Sequence, residues 1–235
     1  MAGSGCEHQD LSAVALFPLP NVVLFPRAIL PLHIFEERYK AMTADALDGD
    51  GQIAMALLRP GWEKCYYSRA AIEPEVCVGQ ILQSERLPDG TYNFLLQGCT
   101  RARVVGEDPP GERLYRIAKL EPIVESTPME IDLSAHRDRM NELFATGAMS
   151  RACLGKQFRQ MLASTWPTQD VADVAAFYLL DDLPLKQSLL AECDVVSRVE
   201  RTVHALQQMA SKMKTAPHYV PPAAVDYTLK HPDMN

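Results

Sequence analysis

The chain has 235 residues, 47% of them hydrophobic, with 23 Lys and Arg against 30 Asp and Glu, a formal net charge of −7. That is ordinary globular composition, long enough to bury a core without staples and to make one or two domains, but too short for a motor joined to a hydrolytic module. The acidic balance also argues against a protein built to hold a polyanion.

The first twelve residues carry Glu7, His8 and Asp10 and lack the basic start of a secretory signal. Val14 to Phe35, VALFPLPNVVLFPRAILPLHIF, is apolar enough to suggest a membrane span, but Pro18, Pro20, Pro26 and Pro31 interrupt it and Arg27 sits within it. The pattern predicts short extended segments with prolines at strand ends or edges. A soluble, cytoplasmic protein is the expectation.

A helix is predicted over Phe35 to Leu47, where Phe35, Tyr39, Met42 or Thr43, and Ala46 recur at three-to-four spacing with Glu36, Glu37, Arg38 and Lys40 around the rest. Strands follow at Gln52 to Leu58, Val76 to Leu82, Tyr92 to Leu96, Ala102 to Val105 and Tyr115 to Leu120. Leu87-Pro88-Asp89-Gly90 predicts a tight hairpin in which Asp-Gly supplies positive φ angles, pairing Val78 to Arg86 with Thr91 to Gln97. Gly98 and Gly106 are read as punctuating the next strand, and Asp108 to Gly111 as a loop.

Beyond Glu125 the spacing becomes helical, after a linker from Ser126 to Glu130. Helices are predicted over Asp132 to Ala145, Ser150 to Thr165, Gln169 to Leu180, Leu185 to Glu192 and Val195 to Met213, the last with Val195, Val199, Val203, Leu206 and Met213 in one stripe. Thr168 is the expected N-cap of the third, and Pro184 suits the first turn of the fourth. The last twenty residues, with four prolines, read as an irregular tail. Acidic groups outnumber basic ones on both sides of residue 125, 17 to 12 before it and 13 to 11 after it, so neither part is a basic domain.

Few residues offer chemistry. The only Gly-Lys pair, Gly155-Lys156, is followed by Gln157 and has no upstream glycine at P-loop spacing. No G-x-S-x-G elbow occurs. The six cysteines form no C-x-x-C pair and the six histidines no H-x-x-x-H pair, which argues against zinc. Free thiols in a reducing compartment are expected. His33 with Glu36 or Glu37, or with Cys99, is conceivable as a catalytic pair, but a strand-end histidine more commonly packs or caps. Nucleic-acid contact would rest on Arg101 and Arg103, which share a strand face, with Arg113, Arg116 and Lys119 and the rings of Tyr92, Phe94 and Tyr115; a solvated strand face is the plainer reading.

Three runs of residues carry a resemblance. Leu16-Phe17-Pro18-Leu19, Val22-Val23-Leu24-Phe25-Pro26 and Leu30 to Tyr39 (LPLHIFEERY) come first; Val78-Gly79, Leu87 to Thr91 (LPDGT), Leu96-Gln97-Gly98 and Arg101-Ala102-Arg103 follow; Leu183 to Asp194 (LPLKQSLLAECD) and Arg198-Val199-Glu200-Arg201 close the series. In this order they resemble the N-terminal, substrate-recognition domain of Lon proteases over about residues 13 to 213. The resemblance implies an α+β fold: a PUA-like mixed β barrel with one inserted helix over 13–125, an α-helical bundle over 126–214, and the irregular tail over 215–235. The motor and Ser-Lys peptidase domains of Lon proteases have no counterpart here, so neither proteolysis nor any other catalysis is carried over. No cofactor or metal is implied.

The resemblance instead implies a module that binds unfolded or specific polypeptide, with a protease or chaperone as a further partner, in protein quality control or ATP-dependent proteolysis. The expected contact surface lies near Val22 to Phe35 and on the exposed face of the following helix. There Phe25 and Leu30 would give apolar contact, and Glu37, Arg38 and Lys40 polar contact. The alternative implied by a PUA-like fold is binding of RNA or a small ligand.

Overall fold

The structure, a computed structural model, describes residues 10–215 except 67, 112, 152 and 153. The expected tail lies outside the described residues apart from Thr215, the last residue of its helix. The described residues form two compact units that divide between Ile123 and Val124.

The first unit runs β1 (Val14–Leu19), β2 (Ile29–Ile34), α1 (Glu37–Asp48), β3 (Gln52–Leu57), a 3-10 turn (Trp62–Cys65), β4 (Glu75–Arg86), β5 (Tyr92–Glu107) and β6 (Arg116–Pro122). The strands make one mixed sheet in the order β2-β5-β4-β3-β1-β6, and β6 also pairs with β5. Five strands therefore close into a ring. The class is α+β as expected, but the barrel is not a clean one. The ring is sealed by the C-terminal part of β5, where Ala102 to Glu107 pairs with β6, while β2 lies outside it on Tyr92 to Gln97. β1 and β3 are parallel, a pairing that requires a crossover, and β2 with α1 supplies it.

Alternate residues of the five ring strands point to one core: Val14 and Leu16, Ala54 and Ala56, Val76 and Val78, Ala102, and Ala118 with Leu120. Alanines from three strands let the ring close tightly. On the outside of β1, Phe17 meets Tyr39 of α1 with ring centroids 4.4 Å apart. Helix α1 buries Tyr39, Met42, Thr43 and Ala46, as the spacing predicts. Pro18 falls past the last β1 residue paired with β6, and Pro31 lies in β2, which pairs only with β5; neither proline removes a needed ladder donor.

Two local readings change. Gly98 does not end a strand, because β5 runs through it for 16 residues. It is there because the 25–28 turn crosses β5 at that point: a Cβ on Gly98 would lie 2.1 Å from the Phe25 carbonyl oxygen, and the Gly98 amide and carbonyl bond Ala28 and Arg27 at 2.9 and 2.8 Å. In the hairpin only Gly90 has positive φ. Asp89 contributes through its carboxylate, which accepts from the Thr91 amide at 3.0 Å and hydroxyl at 2.7 Å.

The second unit holds α2 (Glu130–Ala145), α3 (Gly147–Arg151), α4 (Gly155–Leu162), α5 (Thr168–Leu179), α6 (Leu183–Ala191) and α7 (Val195–Thr215). The single helix expected from Ser150 to Thr165 is two. Gly155 starts α4 pressed against the preceding one, where a Cβ would lie 2.4 Å from the Met149 carbonyl oxygen. Arg159 seals the break by donating to the Phe144 and Ser150 carbonyls at 3.0 and 3.2 Å. Thr168 is not an N-cap but the first residue of α5. The Glu130 carboxylate takes both its amide and its hydroxyl at 2.8 Å, bringing negative charge to that helix end.

α5 is buried nearly all round, and α7 packs the stripe Val195, Val199, Val203 and Leu206. Within this core Arg198, 1% exposed, binds the Glu125 carboxylate and the Glu192 carbonyl and lies 3.3 Å from Asp173. Cys65 and Cys193 are free thiols as expected, whereas Cys99 is disulfide-bonded.

Candidate functional site

A cleft of about 520 Å³ opens in the first unit. Its apolar wall comes from Leu16 and Pro18 of β1, Leu58, Ala70, Pro110 and Leu114; its polar wall is Arg38, Arg69, Arg113 and Arg116 with Tyr39, Tyr66 and Tyr115. The polar wall comes from three stretches of sequence: the start of α1, the loop after the 3-10 turn, and the approach to β6.

Each polar group is positioned by a specific contact. The Arg38 guanidinium lies 4.4 Å from the Tyr39 ring centre and 4.5 Å from that of Tyr66. Its Nη1 donates to the Tyr66 carbonyl at 3.0 Å, and its Nε to Glu36 at 3.1 Å. Tyr66 returns the link by donating its hydroxyl to Glu36 at 2.5 Å. Burial, reinforced by that hydrogen bond and the Glu36 charge, pushes the Tyr66 phenol well above its ordinary range. Arg116 forks onto Glu107, at 2.8 Å from Nε and 2.5 Å from Nη2, and donates Nη1 to the Ala70 carbonyl at 2.8 Å. Arg69 reaches the same carboxylate at 3.2 Å. Tyr115 donates to Asp45 at 2.5 Å, and burial with this bond raises its phenol to about 12.

The residues expected to make the contact surface separate into two groups. Phe25 and Leu30 are both 0% exposed and belong to the core, as do Val22, Val23, Leu24, Leu32 and Ile34; they offer no surface themselves. The apolar stretch is drawn inside because Gly98 admits its turn against β5. Arg38, Glu37 and Lys40 remain on the outside of α1, with Glu37 and Lys40 ion-paired at 2.5 Å and only Arg38 lining the cleft.

His33 does not pair with Glu36, Glu37 or Cys99; it lies near enough to the Asp89 carboxylate to contribute, after Thr91, to lowering that group's pKa. The Nδ1 of His33 is 2.8 Å from the Asn93 side chain, its neighbour across the β2–β5 ladder. Cys99 lies six residues further along β5, roughly 20 Å away at the rise of an extended strand. The expected arginine face is also changed: Arg101 is 2% exposed with its guanidinium 5.8 Å from the Phe25 ring, and Arg103 pairs with Glu75 at 3.1 Å. Tyr92 and Phe94 are buried and make no stacking platform.

Nothing in the sequence marks Arg69, Tyr66, Glu36 and Glu107 as members of one site. They come from three separate stretches and meet through contacts that span 30 positions, from Glu36 to Tyr66, and 38, from Arg69 to Glu107. Among the described residues no group of three or more His, Cys, Asp or Glu could hold a metal, and no helix is long and apolar enough to cross a membrane.

Residues 13–208 match the family described as the ATP-dependent protease La (LON) substrate-binding domain. The chain is 27% identical over 195 residues to Lon protease 1 of Syntrophobacter fumaroxidans, covering 80% of this chain and 23% of that protein. It is 28% identical over 209 residues to the Lon protease of Escherichia coli K12, covering 83% and 24%. It thus spans about a quarter of the length of these curated relatives. Among solved structures it resembles the N-terminal domain of a Mycobacterium avium complex Lon protease, with a TM-score of 0.65 and 16% identity over 83% of this chain and 98% of that one. A Lon N-terminal domain protein from Xanthomonas campestris gives a TM-score of 0.59 and 19% identity over 82% and 98%.

Proposed function

The chain belongs to the family of Lon substrate-binding domains, and on that premise we propose that it is a non-catalytic polypeptide-binding module, acting as an adaptor in cytoplasmic protein quality control or ATP-dependent proteolysis. The observation that carries this reading is the family match across 13–208, which falls on a domain described by substrate binding. Its partners are unfolded or specific polypeptides and, through them, a protease or chaperone. The same reading treats 13–125 and 126–214 as two domains with recognition in the first.

The contact surface combines the cleft with the exposed side of α1. Arg38 joins the two, Glu37 and Lys40 extend the polar rim, and Phe25 and Leu30 support it from the core. The Nδ1 of His33 meets the Asn93 side chain rather than Glu36, Glu37 or Cys99, which weighs against the catalytic pairs that the sequence suggests. The burial of Arg101 weighs against RNA on the β5 face.

Pull-down with chemically denatured test proteins, with and without cellular proteases, checks the proposal. Retention of the denatured over the folded form is expected. Retention of neither above background contradicts it.

A further inference from the structure

The cleft is more selective in chemistry than a general polypeptide surface. Four arginines line it, and no Asp or Glu is among its described lining residues. The carboxylates that balance them, Glu36 and Glu107, stand behind the wall and are 11% and 23% exposed in their side chains. Two of the four guanidinia are committed. Arg116 spends its three nitrogens on Glu107 and the Ala70 carbonyl, and Arg38 is held between two tyrosine rings with bonds to Glu36 and the Tyr66 carbonyl. The other two are available: Arg69 makes one bond to a carboxylate that Arg116 already satisfies, and Arg113 is exposed and forms no ion pair with a described residue. Leu114, 65% exposed, and Pro110 lie beside them as an apolar lip.

We propose that this cleft recognises a carboxylate of the bound polypeptide, taken by Arg69 and Arg113, with an adjacent apolar side chain resting on Leu114 and Pro110. This rests on the polypeptide-binding reading and names what in a polypeptide is read. A planar guanidinium fork matches a carboxylate better than an ammonium would, and the volume falls within the range of sites that enclose a small ligand. Two available guanidinia in a protein of net charge −7 suit one or two carboxylates and not a polyanion. The carboxylate comes from an Asp or Glu side chain or from a polypeptide's free C-terminus, which present the same group.

Fluorescence anisotropy with short labelled peptides tests this. One peptide carries Glu beside Phe and a free C-terminus, a second has Gln for Glu, and a third has its C-terminus amidated. Titrations use the full-length protein and its Arg113→Gln, Arg69→Gln/Arg113→Gln and Arg86→Gln forms, the last altering an arginine on the β4–β5 hairpin. The first peptide is expected to bind, and to lose affinity about tenfold or more in the double variant while Arg86→Gln changes nothing. A similar loss on replacing Glu assigns the carboxylate to a side chain; a similar loss on amidation assigns it to the terminus. Should the double variant unfold, Arg113→Gln, which alters an exposed side chain, decides alone. Equal binding of all three peptides, binding of none, or equal losses from Arg113→Gln and Arg86→Gln overturns the proposal. If denatured protein is still retained in the pull-down, only the carboxylate site fails; if nothing is retained, the polypeptide reading fails with it.

Discussion

Arg38 and Tyr66 hold each other twice: the guanidinium carbon lies 4.5 Å from the Tyr66 ring centre, and Nη1 donates to the Tyr66 carbonyl at 3.0 Å. One side chain on α1 thereby fixes both the ring and the backbone of the loop that forms the far wall of the cleft. Glu36 completes the arrangement by accepting from both residues.

Arg38→Lys keeps the charge but loses the planar stack and the divided hydrogen bonding. It is expected to cost about 2 kcal/mol in denaturant melts and to speed amide exchange in residues 68–70. A change of less than a few tenths of a kcal/mol with unaltered exchange would show that the loop is held by other contacts.

Gly98 and Gly106, both on β5, should respond oppositely to alanine. At Gly98 the new Cβ meets the Phe25 carbonyl at 2.1 Å, and backbone must move, at a cost of about 3 kcal/mol. At Gly106 nothing lies within 4 Å, so Gly106→Ala should be within about 0.5 kcal/mol of the parent. Thermal unfolding of the two variants side by side measures the difference.

The contrast between these glycines shows what is legible in sequence. Three-to-four spacing locates α1 and α7 because each buries one stripe whose spacing is local, whereas β1, β3 and α5 are buried nearly all round and show in the sequence as apolar runs. The role of Gly98 is not local: it depends on the Phe25 turn arriving from more than seventy residues away, so from its neighbours alone the same glycine resembles a strand end. The break at Gly155 is hidden for a similar reason, since the carbonyls that it admits belong to the preceding helix. At the site, Arg38 can be found as a charged residue on an amphipathic helix. Its company, Tyr66, Arg69 and Arg116, cannot, because the contacts that hold the group together span 28 to 46 positions of the sequence. The hydrophobicity of Phe25 and Leu30 suits an apolar contact surface, but it is equally the signature of the core that they form.

Lys186 is 7% exposed and donates to the Phe177 carbonyl at 2.7 Å. Burial brings its ammonium down to about 8, against an ordinary value of 10.5, with Asp181 opposing the shift. Between those two values the unfolded protein keeps a proton that the folded protein has released, so this residue makes stability rise as pH rises from 8 towards 10.5, by up to about 3 kcal/mol. Denaturant melts at intervals across that window should show a steeper rise for the parent than for Lys186→Met. Parallel curves would mean that Lys186 titrates normally.

Arg198 sits in the helical unit against Glu125, Asp173 and the Glu192 carbonyl. Arg198→Ala removes the guanidinium beside the buried Asp173 carboxylate, 2% exposed, and should cost about 3–5 kcal/mol. Adding Asp173→Asn to this variant is expected to recover part of the loss. Additive losses in the double variant would contradict the coupling.

The central claim, that polypeptide is recognised at the cleft, is tested most directly by hydrogen–deuterium exchange of the full-length protein with and without a permanently unfolded polypeptide. Slowed exchange is predicted in residues 68–70 and 113–116 and at the start of α1, with the α2 and α7 amides unchanged. Exchange that is unaltered in those three segments at saturating polypeptide, or slowed only in the helical unit, would contradict the account.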